Sequence, residues 1–140
     1  MIKRYAIYGI MGWFIEVIWT GLFSALMGDW RLVSHTYLWM FFIYGLAVFL
    51  EPVHERIRHY FWAVRGIVWM VAIFFLEYTT GFLLDVITGS CPWNYAGKTP
   101  FSTVSGYVRL DYAPAWFGAG LLFEKVHDYL ERAGIGNSPF

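Results

Sequence analysis

The sequence predicts an all-α membrane protein: four transmembrane helices forming two tandem hairpins in parallel repeat, with the N- and C-termini both cytoplasmic. Three observations lead there. The chain is 59% hydrophobic and only 14% charged, whereas a soluble domain carries about 25% charged residues. Its apolar residues gather into four segments separated by polar turns. Its Lys and Arg residues fall mainly on alternate connections between those segments. A single domain of residues 1–140 accommodates all of this.

A hydrocarbon core of about 30 Å needs roughly 20 helical residues to cross it. The first segment, Tyr5 to Met27, is long enough, and Gly28-Asp29 closes it. The second begins near Tyr37 and is fully apolar only to Leu50, and the third runs from Trp62 to Thr88. The fourth starts near Tyr112 and is apolar only to Phe123. The second and fourth reach spanning length only if they continue through Glu51 and Glu124, to about Ile57 and Leu130. Each then carries a carboxylate in or at the edge of the membrane. The first segment holds Glu16 and lacks a small-residue cleavage pattern at its end, so a cleavable signal peptide is not expected.

Orientation follows from basic residues in the connections. Lys3, Arg4, Arg56, Arg58, Arg65, Lys125 and Arg132 make seven on one side; Arg31, Lys98 and Arg109 make three on the other. The richer side is cytoplasmic. In a bacterium the membrane would be the cytoplasmic (inner) one. The opposite side carries a long loop, about residues 89–111, rich in aromatics that include Trp93 and Tyr95, as suits a bilayer interface. Pro92 and Pro100 preclude a continuous helix there. Zero net charge gives no reason to expect a nucleic-acid partner. The lone Cys91 allows neither an internal disulfide nor a cysteine zinc site, and no nearby residue activates its thiol. No phosphate-binding glycine loop or serine nucleophile elbow is present. Whether the chain is an enzyme stays open.

An internal repeat is visible. Gly45-Leu-Ala-Val-Phe-Leu-Glu51-Pro-Val-His54-Glu55 aligns with Gly118-Ala-Gly-Leu-Leu-Phe-Glu124-Lys-Val-His127-Asp128, an offset of 118 − 45 = 73. Upstream, Glu16 before Thr20-Gly21 matches Glu77 before Thr80-Gly81, an offset of 77 − 16 = 61. The halves, about residues 5–58 and 62–132, are each a helical hairpin entering from the same side.

Buried carboxylates are costly in a bilayer, so Glu16, Glu51, Glu77 and Glu124 are the candidate functional residues. Counted along their helices, the four can fall in one layer. Gly12, Ala47 and Gly120 sit one turn before three of them and would admit a close neighbour. Glu51-Pro-Val-His54 and Glu124-Lys-Val-His127 are Glu-x-x-His pairs, which share a helix face. With Glu16 and Glu77 they complete the ligand inventory of di-iron and di-manganese carboxylate bundles. Such a set, Glu16, Glu51, His54, Glu77, Glu124 and His127, suits iron, manganese or zinc. Three readings stand: cation or proton handling as a transporter or permease component, a membrane di-metal carboxylate protein or oxidoreductase, and a structural membrane-interaction protein. In the last, Glu51 and Glu124 are interfacial caps and Glu16 and Glu77 are neutral acids bonding across helices. Asp85 is expected at the outer interface, His35 and His59 in solvated loops, and Arg109 with Asp111 as a local ion pair. Partners are the lipid bilayer and, because four helices make a narrow bundle, a second copy of the chain.

Gly12-Trp-Phe-Ile-Glu16, Phe42-Ile-Tyr-Gly45, Leu76-Glu-Tyr-Thr-Thr-Gly81, Cys91-Pro-Trp-Asn-Tyr95 and Trp116-Phe117 resemble the four-pass transmembrane protein 229 family and its bacterial relatives, the putative ABC-transporter type IV family. The resemblance covers Gly12 to about Glu124. It implies four spans, glutamates in the first and third helices, and a permease without its own ATPase. The family's Trp-Asp-Tyr motif departs here at Asn94, between Trp93 and Tyr95, so a charge-dependent role there does not carry over. The glutamates of helices two and four match the animal pattern, whereas His54 and His127 do not.

Overall fold

The computed structural model describes residues 1–136. Four helices account for most of them: α1 (Ile2–Leu26), α2 (Leu38–Ile57), α3 (Trp62–Thr88) and α4 (Ala113–Arg132). Among the described residues there is no β-strand, only one isolated bridge between Ser102 and Arg109. The expected helix limits hold to within three residues, since length and apolarity alone define them. α1, α2 and α3 are each long and apolar enough to cross a membrane. α4 has 20 residues but carries Glu124, Lys125, Asp128, Glu131 and Arg132, and falls outside that class.

The surface chemistry of these helices is inverted relative to a water-soluble protein. Ile18, Leu22, Phe75, Val86 and Ile87 are exposed, while Arg4, Glu51, His54, Thr80, Glu124 and His127 are buried. Apolar surface on this scale is stable only against lipid or a partner. The chain is an integral membrane protein.

The chain divides into two compact units. The first comprises residues 1–55 and the chain from Asp128 onward. Its α1 and α2 run antiparallel, brought close by glycines. A Cβ on Gly12 would lie 2.1 Å from the Tyr44 ring, on Gly9 2.6 Å from the Phe41 carbonyl oxygen, and on Gly45 2.6 Å from the Tyr5 ring. α2 is not uniform: it is α-helical over Leu38–Gly45, 3-10 over Leu46–Leu50 and α-helical again over Glu51–Ile57. Pro52 explains the break. It has no N–H to donate, and its ring collides with the carbonyl four residues earlier, that of Val48. The link from α1 to α2 folds back along α1. Thr20 Oγ1 donates to the His35 carbonyl and accepts from its N–H, and Trp13 Nε1 donates to the Tyr37 carbonyl at 3.1 Å.

The second unit, residues 56–127, holds α3 and most of α4. Here too glycines set the approach. A Cβ on Gly66 would meet Phe117 at 2.3 Å, and one on Gly120 would meet Trp69 at 2.0 Å. α3 ends at Gly89, left-handed at φ +80°, whose N–H bonds the Asp85 carbonyl, the usual glycine stop. The aromatic loop that follows folds into a compact cap. Cys91, Trp93, Tyr107 and Val108 are buried. Trp93 Nε1 donates to the Tyr107 carbonyl at 3.1 Å, and the Tyr107 hydroxyl donates to Asp85 Oδ2 at 2.7 Å.

Candidate functional site

In the first unit, Glu51 is 3% exposed and engages both its oxygens. Tyr8 Oη donates to Oε1 at 2.7 Å and Arg4 Nη1 to Oε2 at 3.1 Å. Arg4 also donates through Nε to the Ile135 carbonyl at 2.8 Å, tying the chain after α4 to the start of α1. Arg4 and Tyr8 are four residues apart and share a helix face. Helical spacing therefore delivers one cationic and one neutral donor to the same carboxylate. His54, one turn beyond Glu51, has Nε2 3.0 Å from Asp128 Oδ1.

The second unit contains the same device in different residues. Glu124, 4% exposed, accepts from Trp69 Nε1 at Oε1, 2.8 Å, and pairs through Oε2 with Arg65 Nη2 at 3.1 Å. Arg65 and Trp69 are again four residues apart. His127 is buried and stacks on Phe123, ring centroids 6.3 Å apart at 29°.

Glu16 and Glu77 have a different environment. Each lies well inside its helix and is half-buried. Glu16 Oε2 accepts from Thr36 Oγ1 at 2.8 Å, and Glu77 Oε2 accepts from Trp116 Nε1 at 3.2 Å. Both donors are neutral, and among the described residues neither carboxylate has an ion-pair partner.

The expected single layer of carboxylates does not form within either unit. In the first, Tyr8, which bonds Glu51, and Glu16 are eight residues apart on α1, about 12 Å. In the second, Trp116 and Glu124 are eight residues apart on α4, about 12 Å. Burial of the helix-two and helix-four glutamates, instead of exposure as caps, comes from the arginines. Sequence reading used Arg4 and Arg65 only to count charge. A signal was present: 65 − 4 and 69 − 8 both equal 61, the offset of Glu16 and Glu77.

The aromatic loop after α3 is ordered by its polar groups. Asn94 Oδ1 accepts from the Ala96 N–H at 2.8 Å, and the Tyr95 N–H donates to the Gly106 carbonyl at 2.8 Å. Arg109 lies over the Tyr112 ring at 4.3 Å and the Tyr95 ring at 5.7 Å. As expected, it pairs with Asp111, Nε to Oδ1 at 3.0 Å, which holds that carboxyl below the usual range. Asp85 serves as acceptor for Tyr107, and burial pushes the Cys91 thiol up.

The family model described as "Putative ABC-transporter type IV" matches residues 4–137, which takes in every residue of both carboxylate clusters. No solved structure matches the chain. Each unit buries an arginine-clamped glutamate, and the chain belongs to the putative ABC-transporter type IV family.

Proposed function

We propose that this chain is the membrane-embedded component of a transport system in which Glu16 and Glu77 handle a cation or proton. Glu51 and Glu124 are fixed structural clamps. The observation that carries this is the sorting of the four glutamates by partner. Glu51 and Glu124 each face an arginine, whose charge cannot be removed at any physiological pH. Glu16 and Glu77 each face one neutral donor, so their charge is available to an exchangeable ion. Ionisable groups inside membrane helices mark ion pathways by default.

In this reading α4 is the fourth span and the termini are cytoplasmic, as the seven-to-three distribution of basic residues supports. The two units descend from one duplicated hairpin. Arg4 and Arg65, Tyr8 and Trp69, and Glu51 and Glu124 keep both the sequence offsets and the hydrogen-bond pattern. Four helices enclose little space, so the pathway forms between copies of the chain or with a partner. With no nucleotide-binding motif of its own, the chain draws energy from an ion gradient or from an ATPase subunit.

The test is ion flux in proteoliposomes. E16Q and E77Q should reduce proton- or cation-coupled flux while leaving the thermal melt close to that of the parent. E51Q and E124Q should instead lower the melt. Unchanged flux in both E16Q and E77Q would remove the basis of the reading.

A further inference from the structure

Ile10, Trp13, Phe14, Val17 and Thr36 line an open groove on the first unit. Ile10, Phe14 and Val17 are exposed, as they would be on the lipid-facing side of a span. Thr36 is the one polar lining residue, and its hydroxyl is turned onto Glu16 Oε2 at 2.8 Å. The wall of the groove is thus apolar and aromatic, with a carboxylate one hydrogen bond behind it. Glu16 lies 16 − 2 = 14 residues from one end of α1 and 26 − 16 = 10 from the other, so this arrangement sits near the middle of the helix. Glu77 is set among different neighbours. Its donor Trp116 packs against Tyr112 at 5.9 Å, and Tyr112 packs against Tyr95 of the loop cap at 6.1 Å.

We infer that this groove binds an amphipathic organic cation that enters from the lipid phase, such as an aromatic phosphonium or quaternary ammonium compound. The inference rests on the proposed ion-handling role of Glu16 and supplies its substrate class. Charge complementarity selects the occupant. A neutral lipid tail would fill the groove without using Glu16, and an anion would be repelled by it. A small hydrated metal ion would find no polar wall. A delocalised cation satisfies all three conditions: its apolar groups cover Ile10 and Val17, its charge meets the faces of Trp13 and Phe14, and Glu16 supplies the compensating charge. Such ions already partition into bilayers, so access from the side requires no aqueous channel.

The probe is tetraphenylphosphonium, with tetraphenylborate as its anionic control of the same shape, titrated against the full chain in lipid nanodiscs. The expected result is saturable binding of the phosphonium, weakened at least about tenfold by E16Q and unaffected by N94D. Val17→Trp, which fills the groove without touching the carboxylate, should abolish binding while the melt stays intact. Tetraphenylborate should show only partition into lipid. Equal phosphonium affinity in E16Q, saturable binding of the borate, or no saturable phosphonium binding by the parent would each overturn the inference. If E16Q alters proton or alkali-cation flux while phosphonium binding is absent, the groove assignment fails and the ion-handling role of Glu16 stands.

Discussion

Arg4 and Glu51 form an ion pair, Nη1 to Oε2 at 3.1 Å, from which solvent is almost wholly excluded; the side chains are 2% and 4% exposed. Withdrawing either charge from water is costly, and Tyr8 and the Ile135 carbonyl offset part of that cost by satisfying further positions. Such pairs fix geometry more than they add stability.

Removing one partner should therefore cost more than removing both. R4M leaves a buried carboxylate without its cation and should destabilise by about 3–5 kcal/mol. The double variant R4M/E51M should recover much of that loss. Thermal denaturation of the three proteins in one detergent gives the comparison. A double variant no more stable than R4M would mean that the pair contributes real stability and not geometry alone.

Helix approach in the second unit depends on the absence of one methyl group. G120A places a Cβ 2.0 Å from the Trp69 Cβ, an atom fixed to the backbone. The helices must separate, at about 1–3 kcal/mol, and the Trp69 bond to Glu124 lengthens with them. G118A, two residues earlier on the same helix, meets nothing within 4 Å and should melt like the parent. Equal melts for the two variants would show that α3 and α4 are not held this closely.

The loop cap should weaken at alkaline pH. The hydrogen bond from Tyr107 to Asp85, with burial and the Asp85 charge, pushes the phenol up to about 12. A phenol raised in the folded state contributes stability that is fully present below about 10, its unfolded value. That contribution is lost as pH rises through about 12. In a spectrophotometric titration of phenolate, Y107F should delete a component near 12, and D85N should bring that component down toward 10. A deleted component already near 10 would argue against the Tyr107–Asp85 bond.

Asn94 should tolerate substitution by aspartate. Its side-chain oxygen serves as an acceptor for the Ala96 N–H, a role that a carboxylate fills equally well. N94D should leave melt and flux unchanged, and N94A should loosen the cap, read as faster thiol labelling at Cys91. A loss of function in N94D would show that the neutral amide itself is required.

Much of the fold was legible in the chain. Length and apolarity set helix limits locally, so α3 falls at Trp62–Thr88 as read. Glu51 and Glu124 were identified because they interrupt spans otherwise too short. The Glu-x-x-His spacing places each Glu and His on one helix face, and spacing on one helix says nothing of what faces it. Within the first unit Glu51 meets Arg4 and Tyr8, while His54 meets Asp128.

Sequence by itself determined which segments are helices, where the carboxylates lie along them, and that Pro52 follows one of them. Only the tertiary structure decided which donor each carboxylate meets. The physical reason is that hydropathy and helical period are properties of neighbours along the chain, whereas an ion pair such as Arg4–Glu51 joins residues 47 apart. Its register depends on where glycines let two helices touch. That register distinguishes two glutamates paired with arginine from two that accept from neutral donors.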